Sequence, residues 1–288
     1  MKNIPITGFI GAGTVARVLA PALSRNGYPV TAVSSKSGNS AVGLARLIDE
    51  CRACKNNQQV ADEAGLVFIA TPDDAIASVA AEVKWQSGKS VVHLSGADST
   101  AILSPAEKYG ASTGCIHPLQ TFAGIKQRNL AGITYAIEAR EPLLTVLKNM
   151  AEDLGGRWVI IQPQDKVLYH ASAVFACNYL VTLVKTATDL WQGFGISQEE
   201  TIRALLPLLR GTIDNIEASG IPQCLTGPIV RGDIGTINKH IKALQAASPD
   251  LLSLYRELGL KTIPIATAKG SIDKKQAIEL EAMLKGEK

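Results

Sequence analysis

Residues 6–20 read ITGFIGAGTVARVLA, in which an apolar run, a glycine-rich turn and a helical pattern follow one another. Gly11, Gly13 and Ala16 form the pattern G-x-G-x-x-A. The first glycine permits a tight turn, the second lets a pyrophosphate approach the backbone, and the small third residue lets helix and strand pack closely. The stretch therefore predicts a dinucleotide-binding turn, and the alternative is a glycine-rich turn without a ligand. The residues expected at the phosphates are Gly11, Gly13, Thr14 and Val15.

The end of the predicted second strand indicates which dinucleotide would bind. An NAD site usually carries an acidic residue there for the ribose 2′-hydroxyl, whereas this chain reads Ser34-Ser35-Lys36-Ser37. Lysine and hydroxyl groups suit a 2′-phosphate, which a carboxylate would repel. We therefore predict NADP(H) as the cofactor, bound by Ser34, Ser35 and Lys36. The alternative is that Lys36 is one more exposed lysine.

The composition indicates a folded protein, and the length indicates two domains. The 288 residues are 46% apolar and 19% charged, which is typical of a well-buried globular chain. A net charge of +3 is too small for an electrostatic nucleic-acid binder. The five cysteines have no secretory leader before them, so we expect reduced thiols and a cytoplasmic location. Cys51 and Cys54 form C-x-x-C without a second pair at metal-site spacing, so we expect no metal.

Strand-like and helix-like segments alternate as far as Pro163, and only helical patterns follow. Apolar strands that alternate with helices are typical of a parallel sheet covered on both faces. We therefore predict an α/β protein: an N-terminal Rossmann domain (1–162) with a doubly wound, mostly parallel sheet, then an all-helical domain (163–288). The predicted strands lie in residues 4–10, 28–34, 51–54, 65–72, 90–96, 112–118, 133–139 and 157–163. The predicted helices of the second domain span about 164–192, 198–218, 233–246, 248–258 and 272–285.

The first helix of the second domain contains 18 uncharged residues between Lys166 and Lys185. This run approaches the length of a membrane span, but His170, Ser172 and Asn178 would be costly in lipid. We expect a buried helix of a water-soluble protein and no membrane.

Two further loops are expected beside the nicotinamide. Ala70, Thr71 and Pro72 end a central strand, and HLSGAD (93–98) ends the next one. In open α/β sheets, ligands bind at the carboxyl ends of the strands. We predict cofactor contacts from the first loop and substrate contacts from Ser95 and Gly96. Ordinary strand-ending turns are the alternative.

Six segments together resemble a family of Rossmann-like proteins. They are GFIGAGTVA, ATPDDAI, HLSGA, CIHPLQTF, YHASAVFACNYL and LTGPIVRGD. The helical half of these proteins has long carried a domain-of-unknown-function label, and the family is distantly related to pyrroline-5-carboxylate reductase, 3-hydroxyisobutyrate dehydrogenase and ketopantoate reductase. The resemblance implies an NADP-linked reductase fold whose second domain, like that of 6-phosphogluconate dehydrogenase, forms a homodimer. It leaves the substrate open.

The better-known relatives carry a catalytic lysine on the long second-domain helix and an asparagine four residues later. Asn178 fits that asparagine here, but Val174 takes the place of the lysine. Further back along the same i±4 row lie His170 and then Lys166. The resemblance therefore implies that a histidine replaces the lysine as proton donor, or that the chemistry differs.

Hydride transfer to a C=O or C=N bond needs a proton donor and groups that anchor the substrate. The candidate donors are His117, at an apparent strand end, and His170, because the pKa of histidine lies near neutrality. A buried histidine with a structural hydrogen bond is the alternative for each. Gln120, close to His117, is expected to bind substrate. His93 is expected to be structural. His240 either helps to close the site or lies on an exposed helix face.

Asn178 and Arg231 are the remaining candidates. We predict that Asn178 binds substrate or nicotinamide, or else makes a helix–helix hydrogen bond. Arg231 could clamp a substrate carboxylate through two hydrogen bonds. The alternative is that Arg231 pairs with Asp233 and that the pair caps the following helix.

Together these features predict an NADP(H)-dependent oxidoreductase that reduces a small, carboxylate-bearing keto acid or imine, similar to 2-ketopantoate or pyrroline-5-carboxylate. The expected partners are this small molecule and a second copy of the chain, and no nucleic acid is expected. The alternative is a non-catalytic, NADP-binding sensor or interaction protein.

Overall fold

The computed structural model describes residues 5–123 and 130–286. Strands and helices alternate in the first part of the chain, and helices form the rest. The strands are β1 (Thr7–Ile10), β2 (Val30–Ser34), β3 (Arg52–Ala53), β4 (Leu66–Ile69), β5 (Ser90–His93), β6 (Ser112–Leu119), β7 (Thr134–Ala139) and β8 (Arg157–Ile160). The helices are α1 (Thr14–Arg25), α2 (Gly38–Ala45), α3 (Asn57–Glu63), α4 (Asp73–Glu82), α5 (Ser104–Glu107), α6 (Leu143–Asp153), α7 (Lys166–Ala176), α8 (Asn178–Gln192), α9 (Gln198–Ser219), α10 (Ile234–Ala247), α11 (Leu252–Ala268) and α12 (Lys274–Lys285).

The eight strands form one sheet in the order β3-β2-β1-β4-β5-β6-β7-β8. Every neighbouring pair is parallel except β6–β7, which is antiparallel. The chain winds outward from β1 to β2 and β3, then returns to place β4 on the other side of β1. The predicted Rossmann sheet, doubly wound and mostly parallel, is confirmed.

Both faces of the sheet are covered, because most residues of its central strands are apolar. All residues of β1 and β4 are buried. On one face Phe9 and Phe68 stack with ring centroids 4.9 Å apart, in a core that includes side chains of α1 and α6. On the other face Ile10 and Ile69 join a second core with side chains of α4. Successive residues of a strand point to opposite faces, so both sets of residues must be apolar.

The carboxyl ends of three parallel strands lie at one level of the sheet. Ile10 pairs with Ile69, Ile69 with His93, and His93 with Cys115 of the next strand. The loops that follow β1, β4 and β5 therefore lie side by side along what we call the carboxyl edge. β6 continues beyond this level, so that His117 stands at the same edge.

The long helix predicted over residues 164–192 is two helices in the structure. α8 begins at Asn178 because Cys177 departs from helical geometry, with φ −117° and ψ −65°. The row of side chains expected to run from Lys166 through His170 to Asn178 is therefore interrupted. Neither proline nor glycine marks the break, so the helical pattern alone does not reveal it.

The expectation that this segment is buried is wrong for the single chain. The stretch Pro163–Gln192 is long and apolar enough to cross a membrane by length and composition, and none of its most apolar window is buried. Val167, Leu168, Phe175 and Val181 are between 66% and 75% exposed. A helical pattern shows which residues share a face, but it does not show whether one chain supplies the surface that covers them.

By its internal contacts the chain divides into two compact units, between Tyr179 and Leu180. The second unit consists of helices, as predicted. α11 extends to Ala268, beyond the predicted end at residue 258. The predicted boundary at residue 163 marks the place where strands give way to helices. The core of the second unit is formed by α10, α11 and α12 through Ile237, Ile241, Ile263, Ala266, Leu280 and Leu284.

Candidate active site

Gly11 lets the first turn approach the neighbouring strand closely. Its φ of +109° lies in the region that favours glycine, and a Cβ there would lie 2.4 Å from the carbonyl oxygen of Ala70. Its N–H donates to the carbonyl oxygen of Ser34 at 2.8 Å. The turn is thus packed between the ends of β2 and β4, as the first glycine of the motif requires.

Gly13 faces open space. It precedes α1 with an extended backbone (φ −74°, ψ −173°), and no side chain caps the helix. A Cβ at Gly13 would meet no heavy atom within 4 Å apart from its chain neighbours. Space in front of uncapped N–H groups is what a pyrophosphate requires. The turn therefore fits a dinucleotide, and Thr14 and Val15 begin the helix at that place.

At the end of β2, the hydroxyl of Ser34, a predicted cofactor contact, is already hydrogen-bonded within the protein. Ser34 is 1% exposed, and its hydroxyl donates to Oδ1 of Asn57 at 2.8 Å. This bond ties β2 to α3. The groups left to face a 2′-phosphate are the half-buried Ser35 and the exposed Lys36.

Arg17 is a residue that the sequence analysis missed. Its Nε donates to the carbonyl oxygen of Ala12 and its Nη2 to the carbonyl oxygen of Ser40, both at 3.2 Å. The guanidinium thus joins the glycine turn to α2 and places a positive charge between them. The available signal is a basic residue directly after Ala16 of the motif.

The loop after β4 lies at the carboxyl edge as predicted. The N–H of Ala70 donates to the carbonyl oxygen of Ile10 at 2.7 Å, and Pro72 directly precedes α4. The Thr71 hydroxyl oxygen is buried without a hydrogen-bond partner among the described residues. Such an atom is unusual in a folded protein, and it marks Thr71 as a contact point for a bound molecule or a water.

Ser95, predicted to bind substrate, is used instead to shape its own loop. It is 3% exposed, and its hydroxyl oxygen lies 2.8 Å from Oδ2 of Asp73 and 3.1 Å from Oδ2 of Asp98. The same oxygen accepts the N–H of Asp98 at 3.1 Å. A hydroxyl with these partners has no capacity left for a substrate.

Gly96 brings this loop against two imidazoles. A Cβ there would lie 2.6 Å from Nδ1 of His170 and 2.9 Å from Nε2 of His117. Nδ1 of His170 is buried without a partner among the described residues. The two predicted histidines therefore converge on one point, which only a glycine leaves open.

His117, Tyr169 and His170 form what we call the histidine cluster. Nδ1 of His117 lies 2.8 Å from the Tyr169 hydroxyl, and the centroids of the two imidazoles are 6.0 Å apart. Burial, and then the charges of His170 and Lys166, lower the pKa of His117 to about 4. The prediction of His117 as a donor rests on the ordinary pKa of histidine, and burial moves the pKa of His117 below that value. Burial also raises the pKa of Tyr169 to about 12, so the phenol is protonated and, when it donates to Nδ1, leaves the His117 proton on Nε2.

Lys166 lies at the start of α7 and is 2% exposed. Its Nζ donates to the carbonyl oxygen of Ser95 at 3.1 Å and lies 2.8 Å from Sγ of Cys115. Burial raises the pKa of the Cys115 thiol to about 11, although Lys166 acts in the opposite direction. Burial, and then the charge of Lys166, lower the pKa of His93 to about 3. A neutral, fully buried His93 agrees with its expected structural role.

Three other predicted residues have simpler surroundings. Gln120 accepts the N–H of Thr121 at 2.8 Å. Asn178 is exposed at the start of α8. In the second unit, Nδ1 of His240 lies 3.0 Å from the Tyr255 hydroxyl on an exposed part of α10.

Arg231 and Asp233 behave in part as a capping pair. Asp233 accepts the N–H of Thr236 at 3.0 Å and so caps α10. Nη2 of Arg231 lies 4.0 Å from Oδ2 of Asp233, and its side chain is 63% exposed. The predicted contact of Arg231 with a substrate carboxylate stays a prediction.

Metal-ligating side chains do not cluster in the described part of the chain. No group of three His, Cys, Asp or Glu residues there could hold a metal ion. Cys51 and Cys54 flank the two residues of β3 and pack against different cores.

Gly11 and Gly13 provide a matched pair of substitutions. Gly13→Val should abolish NADPH binding, because a branched side chain fills the space that a pyrophosphate needs, and should leave the melting temperature nearly unchanged. Gly11→Ala should lower the free energy of unfolding by about 1–3 kcal/mol, because of the positive φ and the contact with Ala70. Fluorescence titration and thermal melting measure both effects. Normal NADPH binding by folded Gly13→Val protein would show that this turn is not the phosphate site.

The lowered pKa of His117 predicts destabilisation by acid. The pKa of histidine in an unfolded chain is about 6.5, so the unfolded state takes up a proton between pH 6.5 and about 4 that the folded state does not. The free energy of unfolding should fall as the pH drops through this window, by at most about 1.4 kcal/mol for each unit of pKa difference. Urea unfolding at several pH values should show a flatter dependence for His117→Gln. Equal pH dependences of the two proteins would contradict the lowered pKa.

Comparison with family models divides the chain into two parts. Residues 4–118 match a Rossmann-like domain, and residues 133–262 match a domain of unknown function, DUF2520. No curated protein matches the chain in sequence.

Several solved structures are similar over nearly the whole chain. BF3122 from Bacteroides fragilis, assigned as an NADP oxidoreductase, is 26% identical with a TM-score of 0.73, over 90% of this chain and 98% of that one. A pyrroline-5-carboxylate reductase from Coxiella burnetii is 17% identical with a TM-score of 0.57, over 96% of this chain and 99% of that one. A reductive aminase from Aspergillus terreus, in complex with NADPH and ethyl-5-oxohexanoate, is 14% identical with a TM-score of 0.64, over 99% and 93%. At these identities the last two show a shared fold. The chain is thus similar to a Rossmann-like domain over residues 4–118 and to DUF2520 over residues 133–262, and it shares the fold of a solved NADP oxidoreductase, as the sequence resemblance implied.

Proposed function

We propose that this protein is an NADP(H)-dependent oxidoreductase that transfers a hydride between the nicotinamide and the C=O or C=N carbon of a small molecule. The observation that carries the proposal is the arrangement along the carboxyl edge. The open, uncapped turn at Gly13 and the histidine cluster at Gly96 lie on the same edge of the sheet. The turn supplies the place for a dinucleotide, and the cluster supplies hydrogen-bond donors for the reacting group.

The residues at the end of β2 fit NADP(H) better than NAD(H). Ser35 and Lys36 face outward where an NAD site has a carboxylate, and Arg17 adds a guanidinium beside the same turn. The assignment of BF3122 and the NADPH bound by the reductive aminase are consistent with this choice. When bound, NADPH supplies the hydride, and the residues of this chain bind and orient the reactants.

The histidine cluster would complete the reduction by handling the proton. His117, neutral at pH 7, can donate its Nε2–H to the oxygen or nitrogen of the reacting double bond, while Tyr169 holds Nδ1. His170 presents Nδ1 to the same point and is the candidate proton donor. A neutral imidazole that polarises the double bond and a second imidazole that delivers the proton are two distinct roles.

We further propose that the substrate is a small keto acid or cyclic imine that bears a carboxylate, similar to 2-ketopantoate or pyrroline-5-carboxylate. The support is the sequence resemblance and the shared fold with a pyrroline-5-carboxylate reductase, which is an argument by analogy. A panel of keto acids and imines, assayed by NADPH consumption, tests the substrate class.

The exposed apolar side chains of α7 and α8 favour a homodimer. A second copy of the chain could cover Val167, Leu168 and Phe175, whereas a lipid environment is disfavoured by the Lys185–Asp189 ion pair within the same segment. The free cysteines agree with a cytoplasmic location, which we also propose. Sedimentation that finds only monomer at micromolar concentration would contradict the dimer.

Lys36→Ala should weaken NADPH binding and leave NADH binding nearly unchanged. The loss of one charge-assisted contact with the 2′-phosphate corresponds to about 1.5–3 kcal/mol, or roughly 10- to 150-fold in Kd. Lys84→Ala removes the same charge after the far end of α4 and is the matched control. Equal affinity of the unaltered protein for NADPH and NADH would overturn the choice of cofactor.

His117→Gln and His170→Gln should each lower kcat by roughly 10²–10⁴-fold, with NADPH affinity almost unchanged because the phosphate contacts lie at Gly13. His240→Gln, which removes a histidine bonded to Tyr255, serves as the control and should keep normal turnover. Full turnover by both cluster variants would exclude the histidines as donors. NADPH binding without turnover on any substrate of the panel would favour the alternative of a non-catalytic sensor.

A further inference from the structure

A buried ammonium group lies at the base of the proposed active site. Lys166 is 2% exposed, and none of the ion pairs found among the described residues includes it. Its two partners, the Ser95 carbonyl and the Cys115 thiol, are both neutral at pH 7. Burial of a cation with neutral partners is costly, and an apolar side chain of similar size would be tolerated at lower cost. The charge therefore calls for a functional explanation.

The charged and titratable groups around this ammonium come from every neighbouring element. His93, Cys115 and Glu138 lie at one level on β5, β6 and β7. Asp73 of α4 and Asp98 of the loop after β5 hold Ser95. His117 stands two residues beyond Cys115, and Tyr169 and His170 follow Lys166 on α7.

The contacts of Lys166 fix both sides of the histidine cluster. Its bond to the Ser95 carbonyl holds the peptide that leads into Gly96, the residue against which both imidazoles pack. On α7, residues three and four positions after Lys166 share its face of the helix, and these are Tyr169 and His170. One buried group thus connects the loop, the strand and the helix that bear the cluster.

We infer that Lys166 is a positioning residue of the proposed reaction, which holds His170 and Tyr169 against His117. This inference rests on the proposed function. The Lys166 charge should also disfavour protonation of His117, whose pKa is lowered first by burial and then by the charges of His170 and Lys166. Because its Nζ is buried among protein groups, Lys166 acts through its neighbours and does not touch the substrate.

The test compares Lys166→Met, which keeps the length of the side chain but removes the charge, with Lys166→Arg, which keeps the charge. NMR titration of the His117 ring, assigned with His117→Gln, needs no substrate. In Lys166→Met the titration midpoint should rise by less than one pH unit, because burial and the charge of His170 are the larger causes of the lowered pKa, and in Lys166→Arg it should stay near that of the unaltered protein. Lys84→Met is the control for removal of a lysine charge elsewhere.

Turnover provides the second readout. Lys166→Met should lower kcat by roughly 10- to 100-fold, with the Kd of NADPH unchanged and the acid limb of the pH–rate profile moved to higher pH. A folded Lys166→Met protein with an unchanged His117 midpoint and unchanged kcat would overturn the inference. If the unaltered protein turns over no substrate but the midpoint shifts as expected, the proposed function fails while the electrostatic role of Lys166 stands.

Discussion

The common level of Ile10, Ile69, His93 and Cys115 is the constraint on which the candidate site depends. Hydrogen bonding between parallel strands fixes where each loop leaves the sheet, and a slip of one residue would turn every side chain of that strand to the other face. With neighbouring strands about 4.8 Å apart, β1 and β6 are separated by about 14 Å. A dinucleotide that lies along the edge can therefore join the phosphate turn to His117.

The second constraint is electrostatic. Lys166 is buried beside two imidazoles, those of His93 and His117, whose pKa values burial lowers. A neutral His117 can donate a hydrogen bond to a developing negative charge without the cost of protonating its own buried ring. It also links the chemistry to stability, because the same burial that prepares His117 for its role makes the folded state sensitive to acid.

The elements that depend on local sequence could be predicted. All eight strands, the tight turn at Gly11 and the helical second half follow from apolar runs, turn residues and periodicity. The residues that were missed act through distant partners: Arg17 through Ser40, and Tyr169 through His117. Lys166 was noticed on the helical row of His170, but its contacts with Ser95 and Cys115 could not be inferred from the sequence. Ser34 and Ser95 were placed in the site because they occupy the correct strand ends, but position along the chain does not show that each hydroxyl is already bonded within the protein. The break at Cys177 and the exposure of α7 and α8 could likewise not be predicted, because helical periodicity describes one helix without its surroundings.

The reversal of direction between β6 and β7 determines how the residues of α7 align with those of β6. Since β7 and β8 run opposite to β6, the chain enters α7 at the level of Cys115 and then travels toward the carboxyl edge. Four helical residues advance about 6 Å, and two strand residues advance about 6.6 Å, so the step from Lys166 to His170 matches the step from Cys115 to His117. Helix α7 and strand β6 thus advance by similar distances, and polar side chains of the two elements lie at two common levels: Lys166 with Cys115, and His170 with His117. Insertion of a single residue in α7 or β6 would misalign every later pair of side chains between them. This part of the protein should therefore tolerate changes of side chain far better than changes of length.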